Sequence, residues 1–227
     1  MQGSATDASS WRRMSLSLFS VLAAVVTVGG LAAVVWASRL AGAISPSRRK
    51  FLAGALLLAY GAALFLRPPA WPVIDLAVLA GAVGGVLLIE GGLQTPASVA
   101  VFLAVAAVVD LLSFSGGFTR ILIQRHAAGS GNLLLYLCLV MPVHGHAIPI
   151  VGIGDLFVGG AAATALLRLG LRPAAVMGMI AVGLLSALAY GLWRGGAPAL
   201  PFIAVAVFFL VWRTRAGRAR PLRAARG

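Results

Sequence analysis

The sequence predicts an all-α fold, a polytopic transmembrane helical bundle of about seven spans. Three observations carry that expectation. Hydrophobic residues make up 61% of the 227 and charged residues only 10%, with a mean hydropathy of +1.01. The apolar residues gather in uninterrupted stretches long enough to cross a bilayer. A backbone in lipid finds no hydrogen-bond partner except its own helix, so each span is helical. The 18 Lys and Arg against 5 acids give a net charge of +13. These bases lie almost entirely in connections and tails. That placement fits topology-setting charge and attraction to anionic lipid, and no nucleic-acid partner is expected. A single cysteine, Cys138, excludes an internal disulfide.

Taken in order, the apolar segments cover about 15–37, 51–66, 71–90, 97–115, 149–167, 173–193 and 198–212. The first follows Arg12 and Arg13 but is long for a signal peptide, so it reads as a retained helix. The second and the last are short for a span. The third holds Asp75 near its start and Glu90 at its end, where both are expected to be solvated at the membrane interface. The fourth carries Asp110. The connection 116–148 is the one long loop. Its apolar stretch 132–143, interrupted by Pro142, could be a strand, a re-entrant piece or a helix start. His144 and His146 form an His-x-His turn without further ligands nearby, so no metal site is expected. The fifth segment opens on Gly152-Ile153-Gly154-Asp155, and the last opens on Pro198-Ala199-Leu200-Pro201. Residues 1–14 and 214–227 read as disordered ends of a transmembrane domain at 15–213, the second of them a basic tail.

Basic residues orient the bundle. Arg39, Arg48, Arg49, Lys50, Arg168, Arg172 and six tail arginines fall on one side; Arg12, Arg13, Arg67, Arg120, Arg125 and Arg194 fall on the other. Twelve against six predicts a multi-pass protein, in a cell membrane, with its C-terminus in the cytoplasm.

The acids carry the chemistry. An ionised carboxylate in hydrocarbon is costly, so an acid inside a span marks a functional site. Asp110 lies about five residues before its helix ends, roughly 7 Å at the helical rise. Asp155 lies about six residues into the next span, roughly 9 Å from the same face. Antiparallel spans thus bring the two carboxylates to similar depth, and the start of the last span lies on that face too. Two adjacent carboxylates share a proton, so the ionised one can activate water while the protonated one donates to a carbonyl. Gly152 and Gly154 clear side chains from beside Asp155, so another backbone can approach. Pro198 and Pro201 leave non-helical backbone at the head of the last span. Residues 133–140 and 147–151 are candidate edges for an unwound substrate strand, with Tyr136, Leu137 and Val151 as candidate contacts.

Gly152-Ile153-Gly154-Asp155, with Asp110 one span earlier and Pro198-Ala199-Leu200 in the last, resembles the GxGD intramembrane aspartyl proteases, presenilin and signal peptide peptidase. The resemblance covers about residues 97–212, the catalytic half of that fold. It implies a presenilin-like catalytic core, Asp110 and Asp155 as the catalytic pair, and an active site shaped by Pro198, Ala199 and Leu200. The implied substrates are transmembrane-helix peptides or signal-peptide remnants, and no cofactor is implied. Val109 stands where the family usually has Tyr, and seven segments stand against its nine. Three other readings use the same residues: a transporter or channel with the aspartates as a proton relay, an inactive scaffold, and a prepilin-peptidase-like enzyme with Asp75 as the partner acid. The last usually has a Lys soon after the motif, where this chain has Leu156, Phe157 and Val158.

Overall fold

Every apolar segment holds a helix, and the break between helices falls where proline, glycine or a capping residue ends the backbone pattern. The structure, a computed structural model, describes residues 5–66, 71–129, 133–143, 146–194 and 196–224. Helices α1 (Ala5–Ala41), α2 (Pro46–Leu66) and α3 (Trp71–Ile89) come first, and a 3-10 turn at Glu90–Gly92 closes α3. Helices α4 (Pro96–Ser115), α5 (Phe118–Ala127) and α6 (Leu133–Tyr136) follow, then strands β1 (Cys138–Val143) and β2 (His146–Gly152). Helices α7 (Ile153–Arg168), α8 (Pro173–Arg194) and α9 (Leu200–Ala224) complete the described chain. Thr95 shows how a start is written. Its hydroxyl accepts from the Ser98 N–H at 3.0 Å, and Pro96 takes the first helical position, where no amide is needed.

Four helical stretches are long and apolar enough to cross a membrane: Leu18–Ala41, Trp71–Gly92, Pro96–Ser115 and Pro173–Arg194. The others are shorter or more charged. Arg48, Arg49 and Lys50 occupy the start of α2, α7 has 16 residues, and the apolar part of α9 runs over Leu200–Thr214. The chain is thus a mostly helical membrane protein.

Strands β1 and β2 pair antiparallel within the otherwise helical bundle, the strand reading that 132–143 leaves open. Two expectations need correction. The helix after the hairpin starts at Ile153, not 149, which makes Asp155 the third helical residue rather than about the sixth. Pro149 explains the shift, since it removes an amide and favours extended backbone before it. The ends expected to be disordered are helical from Ala5 and up to Ala224, because the helices at each end run on past their apolar portions.

Helix α7 is the centre. Leu156 and Val158 to Leu166 are buried, and α1, α3, α4, α8 and α9 all pack against it. Small residues let the helices close. A Cβ on Gly160 would come within 2.7 Å of Val34 in α1. One on Gly183 in α8 would meet the Ile203 backbone of α9 at 2.8 Å.

Glu90 departs most from expectation. It is not solvated: its side chain is 2% exposed. One oxygen meets Arg49 Nη1 at 2.7 Å, and the other meets Arg168 Nη2 at 2.8 Å. Arg49 Nη2 also donates to the Gly42 and Ile44 carbonyls. One carboxylate therefore joins the start of α2, the end of α3 and the end of α7 to the α1–α2 turn. Removing one member of a buried ion cluster leaves the others uncompensated. Glu90→Ala is expected to cost about 3 kcal/mol in reversible unfolding from mixed micelles. Arg168, whose side chain is 41% exposed, is expected to cost at most about 1 kcal/mol when changed to Ala. Equal losses would contradict that ranking.

Candidate functional site

The site lies at the end of the bundle opposite Glu90. Asp110 is in the last turns of α4, about one helical turn before Ser115. Its Oδ2 accepts from the Leu200 N–H at 3.0 Å, with the Ala199 N–H beside it. Leu200 is the first residue of α9, so the carboxylate caps a helix whose opening amides have no partner within the helix. Pro198 and Ala199 are non-helical, and Pro201 falls in the first turn, where a missing amide costs nothing. The Pro-Ala-Leu run is thus the socket that delivers the Leu200 amide to Asp110.

Asp155 repeats the device on α7. Gly152 is the N-cap residue, and its N–H donates to Asp155 Oδ2 at 3.3 Å. Gly152 has no side chain, so only half of the usual reciprocal capping box exists. Asp110 shares a cavity wall with Phe157 and Val158, which follow Asp155 by two and three residues in α7. Asp110 is thus joined to the head of α9 by the Leu200 amide, and Asp155 to the end of β2 by the Gly152 amide. Asp75 belongs to neither pairing. It is half-buried, and its Oδ1 accepts from the Val140 N–H at 2.7 Å, which turns it to the hairpin.

A cavity of about 320 Å³ opens beside Asp110. Phe102, Ala106 and Val109 of α4, Phe157 of α7 and Leu200 line it. The Phe102 and Phe157 rings meet edge to face at 6.2 Å, and Phe157 packs where Gly85 of α3 leaves room. Ser113 and Thr119, also on its wall, share a hydroxyl hydrogen bond of 2.7 Å, and Ser113 Oγ accepts the Thr119 N–H. That pair shapes the α4–α5 corner. No sequence signal marked Phe102, Phe157 or Thr119 as cavity residues: Phe157, two residues after Asp155, lies off that acid's helical face.

The hairpin leads straight into Asp155. Leu139 pairs with Val151 and Val140 with Pro149, leaving Ile150 as an extra residue in β2. The Leu137 carbonyl accepts from the Ile153 N–H at 2.8 Å, which carries the ladder into α7. Groups alternate across a strand, so Leu137, Leu139 and Met141 face β2, and Val140 faces away. On β2, Ile148 and Val151 then face β1, while Ala147 and Pro149 form the outer edge. Two expected substrate contacts change accordingly. Val151 is buried and its backbone belongs to the ladder, and the Leu137 carbonyl is already used. Tyr136 ends α6, its carbonyl accepting from Tyr60 Oη at 3.3 Å. His146 starts β2, and His144 lies outside the described residues. Among the described residues no three acids, histidines or cysteines cluster as a metal site.

Gly154 faces open space. An added Cβ would meet nothing within 4 Å, whereas one on Gly152 would sit 3.2 Å from Asp155 Oδ2. No family model, no curated protein and no solved structure matches the chain. Gly154→Ala is expected to leave unfolding unchanged or to stabilise by up to about 1 kcal/mol, from helix propensity alone. A loss of stability would show that Gly154 packs against this chain after all.

Proposed function

We propose that this chain is an intramembrane aspartyl protease that cleaves transmembrane-helix peptides. Its seven apolar helices would form a polytopic bundle with a cytoplasmic C-terminus. The observation that supports the reading is that Asp110, held by the Leu200 amide, lines a cavity with Phe157 and Val158, which closely follow Asp155 in α7. Two carboxylates in mutual range hold one proton between them more readily than none. The ionised member takes a proton from water, and the resulting hydroxide attacks the scissile carbonyl. The protonated member donates to the carbonyl oxygen, and the shared proton then passes to the leaving amine. No covalent intermediate with the protein is needed.

The neighbouring parts fit a substrate. Hydrolysis needs an extended peptide, and the outer edge of β2 pairs with no other strand among the described residues. An unwound segment can add there, using the carbonyls of Ala147 and Pro149 and the Ala147 amide. The apolar cavity beside Asp110 can take a substrate side chain. Gly154, exposed beside the acid, leaves a path for the incoming backbone.

The test is cleavage of a fluorogenic transmembrane peptide in proteoliposomes. Asp110→Asn and Asp155→Asn are each expected to lower turnover by at least about a thousandfold, in keeping with loss of acid–base and charge stabilisation together. Both should stay inserted and folded. Cleavage retained in either variant overturns the mechanism, and aspartate-dependent ion flux without cleavage would replace it with a transporter. Gly154→Ala, which should not cost stability, is expected to raise KM or lower turnover several-fold. Wild-type kinetics in that variant would remove the proposed backbone approach.

A further inference from the structure

We propose that Asp75 is a positioning residue, a latch on helix α3 that holds the β-hairpin, and through it Asp155, in place. An acid within an apolar helix needs a reason to be there. Asp75 is four residues after the first residue of α3, half-buried. The partner its Oδ1 meets is a backbone amide, the Val140 N–H at 2.7 Å.

That amide is one the hairpin ladder does not serve. Val140 stands at the irregular step of the ladder, opposite Pro149 and next to the extra residue Ile150. Its N–H points away from β2 toward α3. Its side chain is buried, so water is a poor substitute. An unpaired buried amide is costly, because it has given up water for nothing. Asp75 removes that cost and fixes β1 to α3 at the same stroke.

The consequence reaches the site in two steps. Cys138, two residues earlier on β1, pairs with Gly152, and the Leu137 carbonyl takes the Ile153 N–H. Gly152 in turn donates to Asp155. A shift of β1 therefore moves the cap of α7 and the carboxylate on it. The latch also closes the outer edge of β1 at Val140, leaving β2 as the free edge. Tyr60, donating to the Tyr136 carbonyl, adds a second tie at the start of the same strand.

The chain carries its own reporter. Cys138 is the single cysteine, and it is 9% exposed on β1. The experiment is maleimide labelling of Cys138 in nanodiscs for wild type, Asp75→Asn and Asp75→Leu. Asparagine keeps an oxygen acceptor of the same reach; leucine keeps the size and loses the acceptor. Wild type and Asp75→Asn are expected to label slowly. Asp75→Leu is expected to label at least about tenfold faster, the effect of about 1.4 kcal/mol on the opening equilibrium. Equal protection in Asp75→Leu overturns the proposal, as does fast labelling in Asp75→Asn. If Asp75→Leu does not fold, hydrogen exchange of the Val140 amide decides. Slow exchange in both wild type and Asp75→Asn supports the latch, and fast exchange in either overturns it.

The link to catalysis rests on the proposed function, and its failure reads differently. With proteolysis present, Asp75→Leu should lower turnover and Asp75→Asn should restore it. A wild-type chain that cleaves nothing would end the protease assignment and leave the labelling comparison intact.

Discussion

A carboxylate stays inside an apolar bundle where a cation or a free amide meets it, and the first turn of a helix is one place where such amides remain. Both acids of the candidate site use that place. Asp110 reaches across to the start of α9, and Asp155 folds back onto the start of its own helix. Each acid thus lies against the positive end of a helix. The surrounding glycines and prolines follow from the same need. They open backbone where an amide must be offered and withhold amides where none is used.

The hairpin solves a second difficulty, that of non-helical backbone next to a charged group in apolar surroundings. Its strands satisfy each other, its odd amide is taken by Asp75, and its last residue becomes the cap of α7. Helices α2 and α3 thus reach the site without contributing a reacting group. Tyr60 and Asp75 each hold one point of the segment that leads into Asp155. The central position of α7, lined with alanine and glycine, gives that segment a firm base on which to end.

Much of this was legible in the chain. Hydropathy located every long helix, since a backbone in apolar surroundings has few options. The alternation of apolar segments put Asp110 and the Pro198 run at one end, and the Asp110–Leu200 hydrogen bond joins them. Local signals failed where a distant partner decides the outcome. Glu90 looked like an interfacial acid because nothing nearby in sequence reveals Arg168, 78 positions on. Asp75 looked the same because its partner is an amide, and amides carry no mark in a sequence. Residues 138–152 were ambiguous because a short apolar run suits strand and helix alike, and pairing across the turn made the choice. The start of α7 was misplaced by four residues for the same reason, with Pro149 the one local hint.

The Glu90 cluster sets how the bundle can move. It ties α2, α3 and α7 at the end remote from the two acids. A swing of about 5° of α7 about that knot, with its 16 residues rising 1.5 Å each, carries the opposite tip by about 2 Å. Such a hinged tong widens most at the mouth and least at the rivet. Small tilts at the charged end are thereby magnified at the other.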